Sequence, residues 1–133
     1  MSMNAVLRST LFVTATLTVA ACAQSGERVF TRQNQAASAL ATMSMEAETG
    51  SPDKLDMIYD AESKLHDACE PLRTVASRRM SGEDVGIDTQ FVALISLDRC
   101  ESETARAEGF IWTDNPTVAR TYLGAKSAQG PAK

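Results

Sequence analysis

Aromatic residues are scarce in this 133-residue chain, at 5% of the total. Strands favour aromatic and β-branched side chains, so a sheet-based core has little to build with. Ala, Ser, Thr, Glu and Leu are plentiful instead, which suits helices. Positive charge is also short: 13 Lys+Arg face 17 Asp+Glu, a formal net charge of -4. Phosphate binding needs a basic surface, so nucleic acid is a poor partner. No segment approaches the ~20 apolar residues that span a bilayer. There is no glycine-rich phosphate loop, no Ser/His/Asp set and no C-x-x-C-H haem motif. These gaps argue against an enzyme and against a bound cofactor. A chain of this length makes one small domain.

What is present begins at the N-terminus. Arg8 is the only charge before Glu27, and residues 9–21 are apolar or Ser/Thr. A cation followed by a short apolar stretch and small residues is the pattern of an export signal. It closes on Val19-Ala20-Ala21-Cys22. That order, an apolar residue, two small residues and then cysteine, resembles the lipobox of bacterial lipoproteins. The resemblance covers only the first 22 residues. It implies cleavage before Cys22 and lipidation of its thiol. More than one acyl chain makes an effectively permanent anchor. The following residue is Ala23 rather than Asp, which by the same resemblance implies the periplasmic side of the outer membrane. The competing reading is Ala21-Cys22-Ala23, a small-x-small site cut before Gln24, which gives a soluble periplasmic or secreted protein.

Either cleavage leaves Cys69 and Cys100 as a pair in an oxidising compartment, where a disulfide is expected. Catalytic dithiols are usually close in sequence, and these two are not. The midpoint between them falls inside the Gly82–Gly86 turn. Residues equally far from a turn come level in an antiparallel helical hairpin, so Cys69 and Cys100 are expected to staple two helices.

Three long helices are expected. The first runs from about Glu27 to Glu48, with Val29, Gln33, Ala36, Leu40, Met43 and Ala47 at steps of four and three. Gly50 is available for a left-handed cap, and Ser51-Pro52-Asp53 opens the second helix, with Ser51 as its cap. That helix reaches about Met80, with a kink or break near Pro71. The third runs from about Asp88, its expected cap, to Glu108. Its first half, Phe91 to Leu97, is apolar on nearly every side and reads as a buried segment. Asn115-Pro116 starts a short helix through Leu123.

The expected fold is all-α: a small three-helix bundle, or a disulfide-stapled hairpin with an additional helix. Residues 1–21 are the signal peptide, 22–28 a lipid-anchored tether, 29–123 the helical domain and 124–133 a disordered tail. Glu62, His66 and Glu70 share one helix face and form the one metal-like spacing. All lie on one helix, so a solvated face is the simpler reading and no metal is assigned. Phe110, Ile111 and Trp112 either fold onto the core or serve as candidate contacts for a partner. The arginines Arg78, Arg79, Arg99 and Arg106 read as an ion-paired surface. The functional expectation is a non-enzymatic protein, held to the membrane through Cys22, that binds an envelope protein or has a structural role there. The alternative is a soluble exported protein that binds a small ligand or metal near His66.

Overall fold

The computed structural model describes the backbone of residues 3–124 and the side chains of residues 25–124. The side chain of Cys22 and residues 125–133 of the expected tail lie outside the described residues. The described chain is all-α. It comprises α1 (Met3–Gly50), a 3-10 turn (Pro52–Lys54), α2 (Leu55–Met80), α3 (Ile87–Ile95), α4 (Leu97–Asp114) and α5 (Pro116–Leu123). Helices α1, α2 and α4 pack pairwise, α5 closes against α1 and α4, and α3 rests mainly on α2.

The core follows the expected stripe. Val29, Gln33, Ala36, Leu40, Met43 and Ala47 are all buried. Against them lie Ile58, Leu65 and Cys69 of α2, Cys100, Ala107 and Ile111 of α4, and Val118 and Ala119 of α5. The alanines keep the helices close, because a methyl group lets neighbouring backbones approach. Cys69 and Cys100 form a fully buried disulfide with Cα atoms 4.6 Å apart. Thr104, also buried, donates to the Cys100 carbonyl oxygen at 2.7 Å, so its hydroxyl is satisfied inside the core.

Polar contacts fix the register. Arg32 grips Glu108 with two parallel bonds of 3.0 and 2.7 Å. Lys54 Nζ pairs with Asp114 Oδ1 at 2.9 Å, and Asn115 Nδ2 donates to Glu46 Oε2 at 2.8 Å. Helix α4 therefore runs alongside α1 in the same direction, with α2 antiparallel to both. Phe30 and Asn34 share a surface groove with Ser77, Met80 and Ser81, which places the far end of α2 level with the Phe30 turn of α1. The α2–α3 turn thus lies at the end of the bundle nearest Cys22, and the Gly50–Lys54 turn lies at the other.

Several local expectations change. Helix α1 does not start near Glu27, and residues 23–28 are part of it. No proline interrupts them, and one Gly26 costs only about 1 kcal/mol. Gly50 does not adopt a positive φ, and Ser51 makes no side-chain cap. Instead the Ser51 amide bonds back to Ala47 and its carbonyl accepts from Lys54, so the backbone closes this end unaided. The cap at the end of α2 is supplied by Gly82, at φ 72. Its amide bonds to the Arg79 carbonyl and the next amide, of Glu83, to that of Arg78. This 6→1 and 5→2 pattern needs a left-handed residue, which glycine adopts without a Cβ penalty. Asp88 lies within α3 rather than capping it. Asn115 does cap α5, accepting from the Val118 amide at 3.1 Å.

Pro71 does not break α2. The carbonyl it leaves unpaired belongs to Asp67, an exposed residue within reach of water. The third expected helix is two. The chain turns at Ser96, whose hydroxyl donates to the Ala93 carbonyl at 3.0 Å. Helix α4 then runs six residues past the expected end, through Phe110, Ile111 and Trp112.

Candidate functional site

The expectation that Phe91 to Leu97 is buried core is overturned. Phe91 is 60% exposed, Leu94 54% and Ile95 63%, and Ile87 at the start of α3 reaches 84%. At 100° per residue, Ile87, Phe91, Leu94 and Ile95 fall on one face. The opposite face carries Thr89, Ala93 and Ser96, of which Ala93 is buried and the other two are half-buried. Helix α3 therefore seats its small residues on the bundle and turns its bulky apolar ones outward. Met80, at the end of α2, is exposed beside this turn.

Covering such a face is favourable. Fully burying one large apolar side chain stabilises by about 1.5–3 kcal/mol, so the four, weighted by how far each is exposed, together forgo roughly 4–8 kcal/mol. Contiguous exposed apolar surface on a small domain is a candidate interaction site. Across residues 86–97 the only charge is Asp88. Arg78, Arg79 and Arg99 flank the segment, exposed, and form no ion pair among the described residues. Arg106 is the one member of the expected ion-paired arginine surface that is paired, with Glu103 at 2.6 Å.

A second candidate is a shallow groove of about 420 Å³ between α1 and α2, lined by Gln33, Ala37, Tyr59, Glu62, Leu65 and His66, among others. Gln33 is 2% exposed and its Oε1 has no hydrogen-bond partner among the described residues. A buried acceptor left unmade costs about 1–3 kcal/mol. Partial desolvation holds the Glu62 carboxyl above its ordinary range. The groove thus offers one unpaired acceptor and one carboxyl to a donor.

The residues singled out from sequence divide clearly. Cys69 and Cys100 are brought together. Glu62, His66 and Glu70 are not, because Glu70 accepts from Thr74 and lines the separate groove beside Phe30. His66 Nδ1 lies 3.7 Å from Asp67, with both side chains exposed. Among the described residues no three His, Cys, Asp or Glu gather as a metal site would require. Phe110, Ile111 and Trp112, the candidate partner contacts, turn inward: Ile111 is fully buried, and Phe110 and Trp112 pack half-buried against the core.

Two features escaped the sequence reading. The outward face of α3 lies in the split between bulky and small positions, which the overall apolarity of the segment hides. The Arg32–Glu108 pair joins residues of two helices distant in sequence, and nothing local announces it. Its hydrogen bonds, then the nearby charges of Glu108 and Glu101, raise the already high pKa of Arg32 against partial burial. Comparison with known proteins finds no matching family model, no matching curated protein and no matching solved structure.

Proposed function

We propose that this is an exported, lipid-anchored, non-enzymatic protein that presents a helical module on the periplasmic side of the outer membrane. The observation that carries it is Val19-Ala20-Ala21-Cys22 at the end of a short apolar run. The buried Cys69–Cys100 bridge supports it, since structural disulfides belong to oxidising compartments. The exposed α3 face gives the module a surface for an envelope component. Intact mass of protein purified from membranes tests the reading. Residues 22–133 with acyl groups, gaining two hydrogens on reduction, is the expected result. A lipid-free mass beginning at Gln24 contradicts it.

A second reading rests on the unpaired Gln33 Oε1. It is a soluble exported protein that takes a small, neutral hydrogen-bond-donating ligand in the Gln33–Glu62 groove, which His66 and Arg73 also line. Ligand binding would raise the melting temperature by mass action, and Gln33→Leu would abolish that rise. A rise that survives the substitution contradicts this reading.

A further inference from the structure

We propose that the outward face of α3 seats in the lipid bilayer, as a second membrane contact beside the anchor. The inference rests on the anchored reading of Cys22 and adds to it how the domain is held against the surface.

Position argues for it first. The groove shared by Phe30, Met80 and Ser81 fixes the α2–α3 turn level with the Phe30 turn of α1. Cys22 precedes Phe30 by about two turns of the same continuous helix, roughly 12 Å. A chain lipidated at Cys22 therefore carries the exposed apolar helix at its membrane-proximal end. The opposite end, with Lys54, Asp114 and the half-buried Trp112, is directed away.

Chemistry argues for it second. Ile87, Phe91, Leu94 and Ile95 form one apolar face on a nine-residue helix. That helix is too short to span a membrane and is suited to lie in the interfacial plane. The unpaired guanidinium groups of Arg78, Arg79 and Arg99 flank it, where phosphate headgroups would receive them. Acidic residues Glu83, Asp84, Asp88 and Asp98 are interspersed, so apolar insertion rather than net charge drives the contact. A short face of this kind binds weakly alone. The anchor makes its binding intramolecular, and a high effective concentration then keeps the face seated.

The test uses the processed protein carrying Phe91→Trp, purified from membranes and reconstituted in vesicles. The lipid is phosphatidylethanolamine with a minor share of phosphatidylglycerol, brominated in the acyl chains. Native Trp112, at the far end, is the internal reference. The indole added at position 91 should lose about half its emission or more to brominated lipid, while the unsubstituted protein loses little. Adding Ile87→Asp and Ile95→Asp should remove that quenching and leave the fold intact, since both positions are exposed. Quenching no greater than that of the unsubstituted protein overturns the proposal. So does a blue-shifted, lipid-insensitive indole in a particle of doubled mass, which would mean that a second copy covers the face. The intact mass of the same sample reads the anchor separately. A lipidated mass without quenching defeats the α3 contact and leaves the anchor standing. An unlipidated mass defeats the anchor whatever the quenching shows.

Discussion

Helices α1 and α3 are both apolar, and they use that apolarity in opposite ways. In α1, Val29, Ala36, Leu40 and Met43 lie on the side that meets α2 and α4, and all are buried. In α3 the bulky residues lie on the side that meets no other element among the described residues, and Thr89 and Ala93 face the bundle. Burial is decided by which face opposes a neighbour, and total apolarity is a poor guide to it. The stripe of α1 is thin but placed correctly for a core. The stripe of α3 is dense and faces outward.

Substitution should separate the two most sharply in the core. Leu40→Ala or Leu65→Ala removes a fully buried side chain and should cost about 2–5 kcal/mol in chemical denaturation. A loss under about 1 kcal/mol at Leu40 would mean that α1 packs less tightly than its burial states.

Next comes the staple. Replacing Cys69 and Cys100 together with Ala should cost about 3–4 kcal/mol in the chain-entropy account. Cys100 lies in the first turn of α4, just below α3, so the same change should also speed amide exchange through residues 87–96. Unchanged exchange there would mean that α3 is held independently of the staple.

Arg32→Ala should cost about 1 kcal/mol, as expected for a two-pronged, partly exposed pair. The loss should shrink with added salt. It links α1 to α4 without touching α3, so α3 exchange should not change.

Phe91→Ala or Ile87→Ala should cost under about 0.5 kcal/mol in lipid-free solution, because neither side chain is buried. A core-sized loss would erase the contrast between the helices. The smallest effect belongs to Glu62. Its carboxyl pKa is raised by desolvation, so the charged form carries a penalty in the fold. That penalty is absent below the ordinary carboxylate range and fully present above the raised value. Stability should therefore fall slightly as pH rises through that window and stay lower above it, and Glu62→Gln should remove the fall in a melting series.

How much was legible in the sequence follows the same division. The α1 stripe was readable residue by residue, because a core face repeats at helical spacing. The Cys69–Cys100 pairing was readable from the turn midway between them. Asn115-Pro116 announced α5, because its cap is local. The break at Ser96 was not readable, since one serine inside an apolar run is ordinary in a continuous helix. Exposure of α3 was missed because seven consecutive residues, nearly all apolar, look buried when no partner is in view. The groove at Gln33 was half legible. Its position on the core stripe was plain, but its unpaired oxygen depends on what the facing helix fails to offer.

The most direct test of the central contrast is hydroxyl-radical footprinting of residues 22–133 carrying Cys22→Ser, in water without lipid. The account predicts heavy oxidation of Phe91, Leu94 and Ile95, with Leu40, Leu65 and Ile111 protected in the same molecules. Protection of Phe91 and Ile95 to the level of Leu40 would contradict it, because α3 would then lie inside the fold with its bulky face covered.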